Sequence, residues 1–430
     1  MRLLLIAYEF PPSPSPGSLR WHYLSRELAG NGFQLDVLAP ALPGSEREDA
    51  LRPNIAVHRT FAGPFCGLLR GTSLQGREIR PEFPSVGGTA AGLNWKGRLA
   101  RRLKLASGFF LFPDVRAEWQ PWARSALRQL LVHARPDLVI SAHEPATTLS
   151  LGLEAARSGI PWIADLGDPI VAPYTPNRWR RKAAKLEAEI CTEACHVVVT
   201  TERAKRQLME RHGLLAGRVS VITQGFDDHS SDAAGDIQVD FEPNRLELLY
   251  VGRFYPFRRP HELLEAVRET QGVRLTIASP EMPRECEDIL VASSGKIRFL
   301  GEVSHAAALA LQRRADVLVS IGNDGMDAQV PGKLYEYLGA GRPILHLLAT
   351  GDADPAGELI RTLGVGQLSR NRREDLRLAF EALQTSKRHG TLAPLGRDRG
   401  GAHLEYSWRC IGTRYSNLIA DYIRGTASPR

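Results

Sequence analysis

Residues 316–343 read DVLVSIGNDGMDAQVPGKLYEYLGAGRP, which joins a strand pattern, a glycine-rich loop and a helix start in one run. The apolar residues up to Ile321 predict a buried strand. Proline at 331 suits the first turn of the helix that follows, because the first helical amides need no intrahelical partner. A strand that leads through a short loop into a helix is typical of nucleotide-binding α/β domains.

The start of this helix predicts a phosphate site. The amides of Gly332, Lys333 and Leu334 would lie at the positive end of the helix dipole, where a diphosphate binds readily. Glu336 follows one turn later, where its carboxylate could accept hydrogen bonds from a ribose diol. We therefore expect a nucleotide to bind here.

The same alternation of short apolar runs and amphipathic stretches recurs along the chain, which predicts parallel sheets covered by helices on both faces. We expect strands at 2–7, 35–39, 54–59, 137–141, 161–165, 196–200, 219–223, 246–251, 274–279, 297–300, 316–321 and 343–347. We expect helices at 19–31, 203–212, 260–270, 306–314 and 333–340. The predicted fold is a pair of Rossmann-like α/β domains facing a cleft, with ligands beyond the carboxyl ends of the strands.

Composition agrees with two domains. The chain has 430 residues, 43% of them hydrophobic, which is enough for two cores. Residues 225–243 are rich in Gly, Ser and Asp, as a linker would be, and residues 61–100 show no clear period and are interpreted as an insertion. The net charge of +7 permits an anionic partner without identifying one.

Targeting signals are not expected. The apolar residues 1–7 are too few for the core of a signal peptide, and no apolar run reaches the roughly 18 residues needed to cross a bilayer. The five cysteines are scattered and odd in number, which argues against a disulfide framework. We expect a cytoplasmic protein whose contact with a membrane, if any, is peripheral.

The loop after the first strand, residues 9–18, is a second candidate site. It contains four prolines and Gly17 before a predicted helix, and the free amides there could face a phosphate or a sugar. A rigid proline turn with one flexible glycine is the structural alternative. The loop lacks the GxGxxG fingerprint, which argues against a dehydrogenase.

Two arginines follow the strand predicted at 246–251. Arg253 and Arg258 lie in the run GRFYPFRR, at the end of a strand of the second predicted domain. Guanidinium groups bind phosphates through paired hydrogen bonds, so this cluster suits the same diphosphate.

Taken in order, these motifs resemble the GT-B nucleotide-sugar glycosyltransferases, specifically the retaining glycosyltransferase family 4. The resemblance covers nearly the whole chain and is weakest over 45–130. It is carried by the opening loop, HVVVT at 196–200, VITQGFD at 221–227, Gly252-Arg253 with Arg258, Glu336 with Gly341 and Pro343, and the terminal stretch Trp408–Tyr422.

The resemblance implies two domains with separate roles. Residues 1–240, with 411–430 packing back on them, would bind a glycan or lipid-linked acceptor, and residues 241–410 would bind the nucleotide-sugar donor, most simply a UDP- or GDP-sugar. Hexosyl transfer would retain the anomeric configuration and serve bacterial polysaccharide or glycoconjugate synthesis. Neither a metal nor a cofactor is implied.

The resemblance also assigns roles to residues. Arg253 and Arg258 would neutralise the donor diphosphate, Glu336 would hold the ribose, and His143 would hydrogen-bond the donor sugar near its reacting carbon. The leaving diphosphate would deprotonate the acceptor hydroxyl, so no separate general base is implied. Asp168 either faces the acceptor or caps the local structure.

Three positions depart from the family pattern. Ala328 stands where the family has the first glutamate of its E-x7-E motif, so contacts to the sugar hydroxyls would come from backbone amides or from Asp324 or Asp327. Arg258 replaces a lysine, and Gly167 stands where arginine is usual. Asp352-Ala353-Asp354 resembles a metal-binding DxD motif, but it lies in a turn and we expect no metal there.

Basic residues in the first half suggest a membrane contact. Residues 96–112 alternate lysine and arginine with leucine, and a second basic run lies at 178–185. Such a pattern is typical of a helix on an anionic membrane surface and equally of a helix that packs its leucines inward. Two other functions stay open, a non-catalytic nucleotide-sugar-binding protein and a nucleotide-sugar epimerase, whereas nucleic-acid binding is not expected.

Overall fold

The computed structural model describes residues 1–13, 15–42, 53–64, 111–173, 175–228, 239–326, 328–350, 354–392 and 401–424. The chain forms two compact units, Met1–Thr223 with Ile411–Arg430, and Gln224–Cys410. The first unit therefore ends before residue 240, where the sequence placed the boundary. Phe226 and Val239 are both buried in the apolar core of the second unit, which explains the difference.

The first unit is built on a seven-stranded parallel sheet in the order β3-β2-β1-β4-β5-β6-β7. Its strands are β1 Arg2–Ala7, β2 Gln34–Pro40, β3 Ile55–Thr60, β4 Leu138–Ala142, β5 Trp162–Gly167, β6 His196–Val199 and β7 Val219–Val221. Strands β4 and β6 are buried along their whole length, and β1 is buried from Leu3 onward, as expected for a parallel sheet covered on both faces.

Five α-helices are described in the Met1–Thr223 part of the first unit, and the first and last of them begin at side-chain caps. They are α1 Pro16–Gly30, α2 Gln120–His133, α3 Thr147–Arg157, α4 Arg180–Glu193 and α5 Glu202–His212. The side chain of Ser15 accepts the amide of Ser18 at the start of α1, and Thr201 does the same for Ala204 at the start of α5. Such caps satisfy amides that have no partner inside the helix.

The second unit has a six-stranded parallel sheet in the order β10-β9-β8-β11-β12-β13. Its strands are β8 Leu246–Val251, β9 Val273–Ala278, β10 Ile297–Gly301, β11 Val317–Ile321, β12 Ile344–Leu348 and β13 Gly366–Arg370. All twelve expected strands are present. Strand β13 was not predicted, because it is an edge strand of sequence GQLSR without an apolar run.

Helices of the second unit cover both faces of its sheet. They are α6 His261–Glu269, α7 Glu287–Ala292, α8 His305–Arg314, α9 Gly332–Ala340, α10 Pro355–Leu363 and α11 Arg373–Arg388. Helix α9 begins after Pro331 and ends at Gly341, whose φ of 66° lies in the left-handed region that glycine tolerates. The strand, loop and helix expected over 316–343 are therefore confirmed.

The terminal helix α12, Trp408–Ile423, returns the chain to the first unit, which it joins from Ile411 onward. Its Tyr415 is fully buried, packs edge-on against Trp21 and donates a hydrogen bond to the Asp165 carboxylate at 3.3 Å. Two Rossmann-like α/β domains with a terminal helix that crosses back to the first are thus confirmed.

Some expectations fall outside the described residues. They include residues 96–110 of the basic amphipathic stretch, most of the insertion at 61–100, Asp327, Asp352 and Ala353. Among the helices that the structure does describe, none combines the length and the apolar character required to cross a membrane.

Candidate functional site

The candidate site lies at the carboxyl ends of the neighbouring strands β8 and β11. The loop after β8 begins with Gly252, whose φ is 118°. A side chain at this position would be strained and would bring its Cβ to 3.3 Å from Cδ of Lys333. Glycine at 252 therefore lets the loop after β8 approach the first turn of α9, which follows β11.

Arg258 is fixed by both loops. Its Nε donates to Oδ1 of Asn323 at 2.8 Å, and its Nη1 donates to the carbonyl of Arg253 at 3.0 Å. The guanidinium carbon also lies 5.0 Å from the centre of the Tyr255 ring, in cation–π range. The side chain of Arg258 is only 8% exposed. Its hydrogen bonds go to uncharged groups, so it would present a fixed positive charge to a ligand.

Arg253 is less satisfied than Arg258. Its Nε is buried and has no hydrogen-bond partner among the described residues. Its backbone carbonyl accepts from Arg258 and also from the hydroxyl of Tyr250 at 3.0 Å, so the backbone is fixed while the guanidinium is not fully bonded. Leaving a buried donor unpaired costs free energy.

Lys333 is the second cation with unmet hydrogen bonds. Its Nζ is buried, has no partner within the described part of the chain, and lies 3.6 Å from the centre of the Tyr250 ring. Burial, and next the charge of Arg258, lower the pKa of this lysine well below its usual value. Arg253 and Lys333 thus each have a buried side-chain nitrogen whose hydrogen bonds an anion would satisfy.

The amides at the start of α9 are partly used. The amide of Leu334 donates to the carbonyl of Pro331 at 2.9 Å, and the side chain of Leu334 is fully buried. The amide of Leu334 would have to exchange or share this bond to reach a phosphate, and its role in binding stays a prediction. Gly332 and Lys333 remain the candidate phosphate donors, and a Cβ at Gly332 would meet only Cγ of Gln224, at 3.9 Å.

Glu336 has a partner that the sequence did not suggest. Its Oε1 lies 3.0 Å from Nε2 of His305, and its Oε2 accepts a 3.5 Å contact from Gln312. The hydrogen bond that His305 donates to Glu336 raises the pKa of this histidine. Nothing in the sequence could have paired residues so far apart, because the contact depends on the packing of α8 against α9.

Asp324, the expected substitute for the missing glutamate at 328, is bonded to residues of two other loops, those after β8 and β12. Its Oδ2 pairs with Nε of Arg259 at 2.9 Å, and its Oδ1 accepts the amide of Thr350 at 2.6 Å. A sugar hydroxyl would have to displace one of these groups.

Asp354 of the DxD sequence has a structural role. Its carboxylate caps α10 by accepting the amide of Gly357 at 3.0 Å, and it also accepts from His346 and from the amide of Ala349. These hydrogen bonds, led by the one from His346, outweigh burial and lower the pKa of Asp354 to about 2. Within the described residues, no three His, Cys, Asp or Glu side chains come together as a metal site.

The first unit places His143 just after β4. Its Nδ1 lies 2.6 Å from the carbonyl of Leu166 in β5, so Nδ1 carries the proton in the tautomer that makes this bond, and Nε2 is then an acceptor. Asp168 directly follows β5, whose last residue, Gly167, has a φ of 63°. That backbone conformation explains why glycine stands at 167, since an arginine would be strained there.

Gly17 lies in the first turn of α1, after the cap Ser15. A Cβ at Gly17 would contact Cβ of Glu9 at 3.7 Å, an ordinary van der Waals distance. Packing among the described residues therefore does not demand glycine here, and the role expected for Gly17 in binding stays a prediction.

Glu187 of α4 is a residue that sequence reasoning missed. It is completely buried and holds the loop that carries Asp168, because its Oε2 accepts the amide of Val171 at 2.9 Å. Its Oε1 pairs with Arg211 and with Nε2 of His212, the latter at 2.7 Å. A glutamate among alanines in an amphipathic helix gave no signal of this position.

Comparison with known sequences identifies a family resemblance. A model of Glycosyltransferase Family 4 matches residues 89–230. The D-inositol 3-phosphate glycosyltransferase of Mycobacterium tuberculosis is 26% identical over 170 residues, which cover 34% of this chain and 34% of that relative. The chain thus spans about a third of the length of the curated relatives it matches.

Comparison with solved structures extends to the whole chain. The Anabaena protein HepE in complex with UDP aligns with a TM-score of 0.59 at 14% identity, covering 98% of this chain and 99% of HepE. A putative UDP-N-acetylglucosamine 2-epimerase from Listeria monocytogenes aligns with a TM-score of 0.57 at 14% identity, covering 99% and 97%. At such identities the likeness shows the fold. The resemblance to the GT-B proteins of glycosyltransferase family 4 is confirmed.

Proposed function

Because the chain resembles glycosyltransferase family 4 in sequence and has the GT-B fold, we propose that it transfers a sugar from a nucleotide-sugar donor to a glycan or lipid-linked acceptor. The observation that carries this proposal is a pair of buried side-chain nitrogens, Nε of Arg253 in the loop after β8 and Nζ of Lys333 at the start of α9, that lack hydrogen-bond partners among the described residues. A donor diphosphate is an anion of the right kind for this position.

The geometry of the second unit supports different roles for the residues of the donor site. Arg253, with its unbonded Nε, would bind the diphosphate directly, while Arg258, held by Asn323, would contribute a fixed charge. Glu336 would exchange its contacts with His305 and Gln312 for the ribose hydroxyls. Stabilising the charge that develops on the leaving diphosphate is then the main contribution to catalysis.

The reaction follows from the resemblance. The glycosidic bond to the diphosphate breaks, the acceptor oxygen bonds to the anomeric carbon on the same face, and the acceptor proton passes to the leaving phosphate oxygen. His143 would hydrogen-bond the donor sugar near this carbon through Nε2, since Nδ1 is bonded to Leu166. The hexosyl group would keep its anomeric configuration, and neither a metal ion nor another cofactor would take part.

A screen of donors tests the proposal. Thermal unfolding is measured with UDP-, GDP-, ADP- and dTDP-sugars, because a ligand that binds the folded protein raises its melting temperature. We expect a UDP- or GDP-sugar to raise it, in line with the UDP bound to HepE. Glu336→Ala should abolish that shift, whereas His143→Ala should retain it and lose transfer. A full shift in the Glu336 variant would contradict the proposed donor site.

For the acceptor, we propose a lipid-linked glycan reached at the inner face of the membrane. The support is a cationic and aromatic cluster at the start of α4. Lys182 Nζ lies 4.9 Å from the Trp179 ring and 5.8 Å from the Phe112 ring, and Arg178 flanks the same indole at 5.8 Å. Basic residues around aromatic rings suit an anionic interface.

Vesicle sedimentation tests the membrane contact. Binding to vesicles that contain anionic lipid should weaken as salt is raised, and Lys182→Glu should weaken it further. Lys205→Glu, which makes the same change of charge on α5, is the control. Equal losses in the two variants would show that net charge, rather than the α4 cluster, governs binding.

Epimerisation is the second candidate, favoured by the Listeria structure, which has nearly the same TM-score as HepE. A non-catalytic donor-binding protein is the third, because of Ala328. Incubation with each donor, followed by NMR of the products, separates the three. A transferase slowly releases free nucleoside diphosphate and sugar, an epimerase changes the sugar while it stays attached, and a binding protein changes nothing.

A further inference from the structure

The side chain of Lys333, and not only its backbone amide, lies at the candidate donor site. The aliphatic stem passes over Gly252, and Nζ ends above the ring of Tyr250, 3.6 Å from its centre. Nζ is buried and hydrogen-bonds to nothing in the described part of the chain. In its charged form, a lysine side chain has three N–H donors and no acceptor.

Two charged groups of opposite sign act on Lys333. Arg258 acts on it from the loop after β8, and Glu336 lies on its own helix. Glu336 is shared with His305 of α8, and Asp324 of the loop after β11 is paired with Arg259. Tyr250 of β8 contributes only its ring face and a hydroxyl that is bonded to Arg253.

This environment disfavours a charged amine in the free protein. Burial removes water from the ammonium, and Arg258 repels it. Both effects lower the pKa of Lys333, and Glu336 acts in the opposite direction with a smaller effect. A bound diphosphate would reverse the balance, because an anion within a few ångströms favours the charged form.

We propose that Lys333 is a ligand of the donor diphosphate that takes up a proton when the nucleotide-sugar binds, being neutral in the free protein and charged in the complex. This inference rests on the proposed donor site. It adds one specific side chain that binds the diphosphate and a coupling between donor binding and proton uptake. The amine accepts one proton from solvent, and the resulting ammonium donates its hydrogen bonds to the diphosphate oxygens. Donor affinity then falls as pH rises, by up to tenfold per pH unit when one proton is taken up.

The competing interpretation keeps Lys333 permanently charged on the face of Tyr250. A cation–π contact of this kind stabilises a buried ammonium without any ligand. In that case binding would involve no proton, and the affinity would be independent of pH wherever the other groups do not titrate.

Calorimetry separates the two. Titrations with UDP-glucose or GDP-mannose, whichever binds, are run between pH 6.5 and 9.5 in two buffers that differ in ionisation enthalpy, so that the difference in heat counts the protons. Nucleotide-sugars are used because their diphosphate is esterified at both ends and does not titrate in this range. We expect uptake of a sizeable fraction of one proton, with a matching pH dependence of Kd.

Three variants assign the proton. Lys333→Met should weaken binding at least tenfold and remove the uptake, while Lys333→Arg, which is always charged, should bind with no uptake and no slope. His305→Gln tests the other titrating group near Glu336 and should keep the uptake. Uptake that persists in Lys333→Met but disappears in His305→Gln would overturn the inference.

The two failures are distinguishable. Binding of a donor to the wild-type protein with no proton uptake at any pH in the range would overturn the role of Lys333 and leave the proposed function intact. If no nucleotide-sugar binds at all, both the donor site and the role of Lys333 are wrong. Circular dichroism of each variant checks that it is folded.

Discussion

Two clusters of buried charge, one in each unit, have opposite states of pairing. In the first unit, Arg20 is paired with Asp165 at 2.9 Å, Tyr415 donates to the same carboxylate, and Arg20 also donates to the carbonyls of Ile222 and Thr223. In the second unit, the buried nitrogens of Arg253 and Lys333 have no hydrogen-bond partners among the described residues.

The difference separates structural charges from those suited to binding. The Arg20 cluster ties α1, β5 and the terminal helix to the last residues of the first unit, so its hydrogen bonds are spent on the fold. Nε of Arg253 and Nζ of Lys333 have no such hydrogen bonds within the described chain, so their donors are available to a ligand. Pairing, rather than burial alone, is therefore the property that distinguishes the two clusters.

The largest effect is expected from breaking the paired cluster. Arg20→Met would leave the Asp165 carboxylate buried without its cation, which typically costs about 3–5 kcal/mol of unfolding free energy. Urea denaturation measures this loss as a decrease in the free energy of unfolding of the first unit. Arg157→Met is the control, because Arg157 is 61% exposed in its pair with Glu189, and such pairs contribute at most about 1 kcal/mol. Similar losses in both variants would remove the distinction between the clusters.

Removal of an unpaired cation in the second unit should leave stability intact and weaken donor binding instead. Arg253→Met removes a buried donor that lacks a described partner, so the free energy of unfolding should stay unchanged or rise. Donor binding should weaken by about 1.5–3 kcal/mol, the usual contribution of a hydrogen bond to a charged group, or roughly 10- to 150-fold in Kd. Calorimetry with the donor and urea denaturation give the two numbers. A large loss of stability would show that Arg253 is structural.

A histidine in the first unit extends the comparison to pH. His196 is bonded at both ring nitrogens, to Tyr422 of α12 and to Ser220, and burial lowers its pKa to about 4. Since the unfolded chain binds the proton first, this contribution to stability is complete above pH 6.5 and is lost as the pH falls toward 4. We expect a loss of about 2 kcal/mol between pH 7.5 and 5 that is absent in His196→Gln. Equal pH profiles would refute this.

Much of the fold followed from the sequence because apolar runs are a direct consequence of burial in parallel sheets. Strands β1 and β8 have the predicted bounds. The misses have a common physical cause, namely that a residue's role depends on contacts distant in sequence. Strand β13 pairs with β12 only through backbone hydrogen bonds, and Phe226 joins the second unit through packing that no local pattern announces.

The candidate site was predicted in part for the same reason. Spacing and resemblance predict Arg253, Arg258 and Glu336 as site residues, because local loops and helix starts carry a pattern. His305 was not found, since it meets Glu336 only when α8 packs beside α9. The state of each cation was also beyond the sequence, because pairing depends on neighbours from other strands.

The smallest effect is expected from His305 itself. Its pair with Glu336 is partly exposed, with the histidine side chain 38% exposed, so it resembles a surface pair more than either buried cluster. His305→Gln retains a side-chain donor and should change the donor Kd by less than about fivefold, measured beside Glu336→Ala at pH 7. The pKa of His305 is raised, so its charged form persists to higher pH than that of a free histidine, and the pairing with Glu336 weakens as the pH rises through that value. A loss of binding in His305→Gln as large as that in Glu336→Ala would mean that the imidazole itself contacts the donor. His305 would then join Arg253 and Lys333 as a third side chain of the site whose hydrogen-bond partner is the donor.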